Sequence, residues 1–427
     1  MKRPFISKIS LRNFKCYKHL DLELQPGVNI LYGVNGTGKT SIVEGITIAA
    51  GSFLISFSSV EKRNIKSSEI RIEYKEGMPS PEYQFPVQII AEGCVLENNI
   101  EWSRELKSIS GRITMENARK ISKLSDKAAL DVQNGVSIEL PIITYFSTQR
   151  LFTDRKESDK NPIGRFAGYY NALNATNTRK HIQKWFEDAE YEQYQKRQSN
   201  PAFTNYGLEG IRELVLKYFE EDWTRIYYYK SKSNKLSDKG LYIDHKDGKI
   251  ISESLLSDGY RNFLWLLIEI AWRCYTLNPF LGKDAFSKTT GIVMIDEVDL
   301  HLHPKWQQRI VPILAEAFPN IQFVITTHSP IILSSVKGNV LRLEGDKVYV
   351  QENLYGLKPS QVLEGFMQIH ERLPQFMGDI QTYFALINQE KGKSSEALGL
   401  REKLEKEISQ NDPLFTEADA LINFYSY

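Results

Sequence analysis

The chain is short of cysteine and has almost no net charge. Its 427 residues include three widely spaced cysteines, which exclude a disulfide-stapled scaffold and a cysteine-rich zinc site. With 54 Lys and Arg against 53 Asp and Glu, the formal net charge is +1, which excludes a strongly basic coat protein. Hydrophobic residues make up 41% and charged residues 25%, so the composition is that of a folded globular protein rather than a disordered or collagen-like chain.

Long apolar runs are missing as well. No apolar stretch reaches the roughly 18 residues that a membrane-spanning helix needs, and the most apolar predicted helix, 263–272, carries Glu269. The N-terminal residues are charged but lack the apolar stretch and cleavage site of a signal peptide. We therefore predict a cytoplasmic protein with no membrane partner.

Hydrophobic periodicity divides the chain into four predicted parts. Residues 1–150 alternate as strands around a glycine-rich loop and an antiparallel segment, and 251–350 alternate strand with helix. Residues 151–250 are predicted to form a mostly helical insertion or lid that ends in short strands, and 351–427 a helical tail. The apolar positions of the tail suit packing on the rest of its own chain, partner binding or oligomerisation, and these alternatives stay open. No heptad pattern is long enough for coiled-coil arms.

The most specific motif is the glycine-rich phosphate loop, residues 33–40. It matches G-x-x-x-x-G-K-[ST] at every fixed position, follows the apolar run 28–32 and opens a predicted helix. Glycines let backbone N–H groups converge on phosphate oxygens, and the helix N-terminus adds a favourable partial charge. We expect Lys39 to reach the β- and γ-phosphates and the Thr40 hydroxyl to ligate Mg²⁺. The expected nucleotide-binding residues here are Gly33, Asn35, Gly36, Thr37, Gly38, Lys39, Thr40 and Ser41.

An acid pair, Asp296 and Glu297, follows the apolar run 292–295. A buried strand does not tolerate charges, so these acids belong at its carboxyl end, the edge where ligands bind in open parallel sheets. We expect Asp296 to hold Mg²⁺, directly or through water, and Glu297 to polarise the attacking water. An apolar run ending in an acid is common by itself. Its pairing with the phosphate loop is what indicates a nucleotide site.

Three further features of the sequence add to the phosphate loop and the acid pair. Ser257 is a good N-cap for a long predicted helix, and Gly259 permits a close backbone approach. The segment 256–261 is therefore either a capped helix start or a signature segment like that of ABC-type ATPases, in which a Ser hydroxyl contacts the γ-phosphate bound to another subunit. His328 follows an apolar strand, where a switch histidine would sense the γ-phosphate. Residues 298–304, just after the acid pair, resemble a D-loop.

Together these motifs resemble the ABC-type ATPases of the SMC/RecF/OLD lineage, and most closely the branch of AAA-family ATP-binding proteins that includes the ATPase subunits of Septu and retron-type antiphage systems. The segments that carry the resemblance are 32–47, 145–150, 256–273 and 292–336. The resemblance implies an α/β fold of the split-head type. In it, a phosphate-loop NTPase with a mixed central sheet and an antiparallel β subdomain carries a helical insertion and a helical C-terminal tail.

The resemblance also implies roles for residues outside these motifs. Gln149 corresponds to the Q-loop glutamine, which contacts the nucleotide and Mg²⁺, and Arg150 beside it is the alternative functional residue. Arg12 and Asn13 correspond to positions that touch the adenosine.

A head-to-tail homodimer that sandwiches two ATP molecules, or a higher oligomer of such dimers, is implied as well. Ser257 and Gly259 would come from the second chain. The residues that one chain would supply to each site are Lys39, Thr40, Asp296, Glu297 and His328, with Lys39, Glu297 and His328 as the catalytic ones.

The resemblance implies that the protein hydrolyses ATP and acts as the sensor or regulator of a separate effector, a nuclease, in antiphage defence. A RecF-like ATPase of DNA repair is the alternative. A transporter motor fits less well, because the D-loop sequence differs and no membrane-coupling region is evident. An OLD-type nuclease would carry a Toprim domain, and no D-x-D acid cluster follows His328.

Nucleic acid is a further candidate partner, because 223–239 mix aromatic residues with Lys and Arg, although a solvated hairpin explains the same pattern.

Overall fold

The computed structural model describes residues 4–57, 60–75, 80–109, 111, 118–148, 162–174, 178–219, 222–230, 239–369 and 372–425. The chain divides into two compact units, Met1–Leu357 and Lys358–Tyr427. Across the described part of the chain, no helix combines the length and apolar character that a membrane crossing requires.

Strands and helices are numbered separately in chain order. The strands of the described residues are β1 (Lys8–Phe14), β2 (Tyr17–Glu23), β3 (Val28–Tyr32), β4 (Ile72–Glu73), β5 (Glu82–Tyr83), β6 (Val87–Val95), β7 (Asn98–Leu106), β8 (Ile142–Phe146), β9 (Trp223–Lys230), β10 (Lys239–His245), β11 (Ile250–Ser252), β12 (Gly291–Ile295), β13 (Ile321–Thr326), β14 (Asn339–Glu344) and β15 (Lys347–Gln351). The α-helices are α1 (Lys39–Ala50), α2 (Arg119–Gln133), α3 (Arg179–Ser199), α4 (Tyr206–Tyr218), α5 (Asp258–Leu277), α6 (Ala285–Lys288), α7 (Pro304–Ala317), α8 (Pro330–Ser335), α9 (Pro359–Gly365), α10 (Pro374–Asn388), α11 (Ser395–Glu407) and α12 (Pro413–Phe424).

A mixed sheet lies at the centre of the first unit. Its described strands follow the order β15-β14-β3-β13-β12-β8, and β15 alone among them runs antiparallel to its neighbour. Every residue of β3, β12 and β13 is buried, which explains why these strands are mainly apolar rather than alternating between apolar and polar residues. Because the three strands are parallel, the phosphate loop, the acid pair and His328 all leave the sheet at the same edge.

A second, antiparallel sheet flanks the helix that follows the phosphate loop. Its strand order is β2-β1-β6-β7. The indole of Trp102 on β7 donates a hydrogen bond of 2.9 Å to the carbonyl of Ala49 on α1, which fixes this sheet to the helix. The predicted α/β fold, with a mixed central sheet and an antiparallel β subdomain, is confirmed.

The middle of the chain combines two helices with a three-stranded antiparallel sheet, β11-β10-β9. Arg212 on α4 ties these parts together, because its guanidinium donates to the carbonyl of Ile226 on β9 and pairs with Glu190 on α3. In the described part of 151–250, the helices α3 and α4 precede the strands β9, β10 and β11, and the role of this segment as an insertion or lid stays a prediction.

The second unit consists of short helices around a core of its own. The buried core residues are Tyr383, Ile387, Ala397, Leu404, Leu414, Phe415 and Ala418. Arg372 and Asp412 form an ion pair with two hydrogen bonds, and the Asp412 carboxylate also caps the start of α12. The boundaries of the four predicted parts and the role of the tail stay predictions.

Candidate functional site

The phosphate loop joins β3 to α1 through backbone conformations that favour glycine. Gly36 and Gly38 have φ angles of 84° and 87°. A Cβ atom at Gly38 would also stand 2.4 Å from the hydroxyl oxygen of Tyr17, so this glycine is required both for its conformation and for space. The Tyr17 hydroxyl donates a hydrogen bond of 2.7 Å to the carbonyl of Thr37. The β1–β2 hairpin therefore supports the loop from one side.

Lys39 lies inside the loop. Its side chain is 7% exposed, and its amine donates to the carbonyl oxygens of Gly33 at 3.0 Å and Val34 at 3.1 Å. Burial lowers the pKa of the Lys39 amine, although the carboxylates of the acid pair and of Asp299 oppose that shift. The amine is thus held where the loop curls around it, with carboxylates close by.

The two predicted Mg²⁺ ligands lie next to each other. The Thr40 hydroxyl is 3.0 Å from Oδ2 and 3.3 Å from Oδ1 of Asp296, although the two residues are 256 positions apart in the sequence. Asp296 is 2% exposed, whereas Thr40 stands at the exposed start of α1. One hydroxyl and one carboxylate, both hard oxygen donors, therefore meet at the mouth of the phosphate loop.

Thr326, the last residue of β13, connects the two acids and was missed by the sequence analysis. Its hydroxyl donates to Oδ1 of Asp296 at 2.6 Å and accepts the Glu297 backbone N–H at 2.7 Å. Glu297 has a left-handed φ of 47°, an uncommon conformation for a residue with a side chain. The signal that could have revealed Thr326 was a polar residue at the carboxyl end of a strand adjacent to β12.

The backbone N–H of His328 donates a hydrogen bond to the D-loop. The Asp299 carboxylate accepts the Thr327 hydroxyl at 2.6 Å and the His328 N–H at 3.4 Å. Burial and then the positive charge of Lys39 lower the pKa of the His328 imidazole, against the opposing effect of the nearby carboxylates. The imidazole is therefore neutral at neutral pH and faces the same group of charges as Lys39.

The signature segment lies at the start of α5. Ser257 occupies the N-cap position of α5, where it was predicted, and its side chain makes no capping hydrogen bond. Among the described residues no hydrogen bond joins Ser257 to the phosphate loop. Gly259 does allow a close approach, but the approaching group is the D-loop: a Cβ atom there would stand 2.4 Å from the carbonyl oxygen of His301.

Of the residues carried over from the resemblance, two lie on β1 and two fall outside the described residues. Arg12 is exposed on β1, and Asn13 has a left-handed φ of 50° and donates from its amide to the carbonyl of Pro86 at 3.0 Å. Gln149 and Arg150 lie outside the described residues. The roles given to all predicted site residues stay predictions.

Comparison with known proteins identifies the family. A family model described as an AAA domain matches residues 8–221, half of the chain. The chain belongs to this AAA-domain family. Membership of this family implies nucleotide binding, which agrees with the phosphate loop before α1.

Individual relatives are similar along most of the chain. "Retron Ec83 probable ATPase" of Escherichia coli is 26% identical over 480 aligned residues, which cover 96% of this chain and 85% of that protein. "Septu protein PtuA" of Bacillus mycoides (strain KBAB4) is also 26% identical, over 95% of this chain and 51% of that protein. These matches confirm the predicted resemblance to Septu and retron ATPases. A solved structure of an SMC head bound to the C-winged helix domain of ScpA covers 82% of this chain and 98% of its own, with 15% identity and a TM-score of 0.47.

Proposed function

We propose that this protein binds and hydrolyses ATP with Mg²⁺. The observation that carries the proposal is the hydrogen bond between Thr40 and Asp296, with the Lys39 amine in the loop beside it. A loop rich in backbone N–H groups, a lysine, a hydroxyl and a carboxylate at one sheet edge are the parts that hold a nucleoside triphosphate and its metal.

The donor set at this edge fits Mg²⁺. The Thr40 hydroxyl and the Asp296 carboxylate would hold the ion, because both offer oxygen atoms and Mg²⁺ prefers oxygen ligands from one or two side chains together with phosphate and water. When bound, Mg²⁺ neutralises charge that develops on the β- and γ-phosphates.

The remaining residues would position the reacting groups. The Lys39 amine, now bound to loop carbonyls, would bind phosphate oxygens instead. Glu297 would orient the attacking water and accept its proton, and the neutral His328 imidazole would hydrogen-bond near the γ-phosphate. Phosphoryl transfer depends mainly on such positioning and electrostatic stabilisation, so no covalent intermediate is needed.

A head-to-tail dimer would complete each site. Ser257 is exposed, its hydroxyl makes no capping bond, and the first turn of α5 lies directly behind it. These features support its use as a donor to the γ-phosphate held by a second chain. ATP would then close the dimer and hydrolysis would open it, which is a two-state change that a partner protein can read.

The cellular role that we propose is regulation of a separate effector, a nuclease, in antiphage defence. The similarity to a retron protein and to a Septu protein along nearly the whole chain favours this role over the RecF-like alternative. Nucleic acid would be a candidate trigger or cargo of such a complex.

A nucleotide-binding titration tests the proposed site. Lys39→Ala should abolish binding of a fluorescent ATP analogue, because it removes the cation at the centre of the phosphate loop. The matched control is Lys217→Ala, which removes an exposed lysine paired with Glu316 and should bind like the wild type. Unchanged affinity in Lys39→Ala would contradict the proposal.

A further inference from the structure

The Thr326 hydroxyl is buried between the two acids of the site. Thr326 has no exposed surface, and its hydroxyl bonds both to the side chain of Asp296 and to the backbone of Glu297. We propose that Thr326 is the positioning residue of the metal site: it sets the orientation of the Asp296 carboxylate and the backbone turn that carries Glu297. This inference rests on the proposed function.

The direction of both hydrogen bonds follows from their chemistry. The Glu297 backbone N–H can only donate, so the Thr326 oxygen accepts it at 2.7 Å. The single hydroxyl proton is then available for Oδ1 of Asp296, at 2.6 Å. With Oδ1 held in this way, Oδ2 is the carboxylate oxygen closest to the Thr40 hydroxyl. The carboxylate is thereby fixed in the rotation that presents an oxygen to the mouth of the loop.

The same hydroxyl stabilises an unfavourable backbone conformation. Glu297 has a left-handed φ, a backbone conformation that is unfavourable for a residue with a side chain and persists only where the surroundings hold it. Its N–H bond to Thr326 is one such restraint. A single side chain on β13 therefore positions the two acids that follow β12, one proposed for the metal and one for the attacking water.

Substitution by valine separates the effect of the Thr326 hydroxyl from the effect of side-chain packing. Valine matches threonine in shape and in strand preference, so Thr326→Val removes the two hydrogen bonds and leaves the buried volume filled. Residues that orient metal ligands through hydrogen bonds typically change metal affinity by about 10- to 100-fold when they are removed. Because the Thr326 hydroxyl bonds to Asp296 and Glu297 and not to the phosphate loop itself, the loss should fall mainly on metal-dependent binding.

The experiment is a titration of a fluorescent ATP analogue with and without Mg²⁺. In Thr326→Val, the gain in nucleotide affinity that Mg²⁺ brings should shrink by about 10-fold or more, while affinity without Mg²⁺ stays at the wild-type level. Thr326→Ser keeps the hydroxyl and should recover the Mg²⁺ effect. Thr144→Val is the matched control: it removes a buried hydroxyl from β8 of the same sheet, which donates to the carbonyl of Ala172 at 3.2 Å, and should change neither affinity.

The outcomes separate this inference from the proposed function. A wild-type Mg²⁺ effect in Thr326→Val overturns the inference, and so does an equal loss of affinity with and without Mg²⁺, which would indicate a merely structural role. If Thr326→Val does not fold, Thr326→Cys takes its place, because a thiol is a weak donor and should show the same selective loss. A wild-type protein that binds no nucleotide would instead refute the proposed function.

Discussion

Replacing Gly259 with alanine should destabilise the first unit, because the new methyl group would press on the backbone of the D-loop. The Cβ atom would lie 2.4 Å from the carbonyl oxygen of His301, roughly 1 Å closer than an ordinary non-bonded contact. A backbone oxygen cannot rotate away as a side-chain tip can. Overpacking of this kind costs about 1–3 kcal/mol, and the better helix propensity of alanine returns up to about 1 kcal/mol. We expect a net loss of about 1–2 kcal/mol in the free energy of unfolding.

Tryptophan fluorescence during urea unfolding measures this loss in the right part of the molecule, because all six tryptophans precede residue 358, where the second unit begins. Gly210→Ala is the control. Gly210 lies in α4, and a Cβ atom there would meet only the ring of Phe286, at 3.0 Å, which can shift. Its unfolding midpoint should therefore not fall below the wild-type value, because the better helix propensity of alanine offsets the small shift of the ring. Equal midpoints for the Gly259→Ala and Gly210→Ala proteins would refute the proposed packing of α5 on the D-loop.

Two further substitutions test the chemistry. Glu297→Gln should lower ATP turnover by about 100-fold or more while ATP stays bound, because the amide cannot take the proton of the attacking water. Phosphate release measures the turnover, and the amount of retained nucleotide measures the binding. Turnover at the wild-type rate would exclude Glu297 from this role. Because His328 has a lowered pKa, the unfolded chain binds this proton more readily than the folded protein, so stability should fall as the pH drops below the ordinary histidine value of 6.5. His328→Gln should lose less stability over the same interval in urea unfolding, and an identical loss in both proteins would contradict the burial of the imidazole.

The parts of the site that depend on local sequence could be predicted. The phosphate loop, the buried strands and the acid pair each follow from a short pattern: glycines at fixed spacing, continuous apolar residues, and charges at the end of a run. The convergence of Thr40 and Asp296 follows from the parallel arrangement, since loops at the carboxyl ends of parallel strands share one edge.

The parts that depend on neighbours distant in sequence could not be predicted. Thr326 acts on β12 only because β13 lies beside it, and a threonine at the end of an apolar run is otherwise an ordinary strand residue. Gly259 indicated a close backbone approach, but the group that approaches, the His301 carbonyl, comes from another loop. Ser257 occupies the N-cap position that the sequence indicates, but position alone does not decide where a hydroxyl points, and its side chain makes no capping bond.

The central claim is that two chains share each site, and mixing two inactive variants tests it most directly. Ser257→Arg should disable the surface that a chain lends to its partner, and Glu297→Gln should disable the hydrolytic site of its own chain. A mixture of equal amounts should recover about a quarter of wild-type turnover, because half of the randomly formed dimers are mixed and each mixed dimer holds one complete site. Turnover in the mixture no higher than in either variant alone would contradict the shared site.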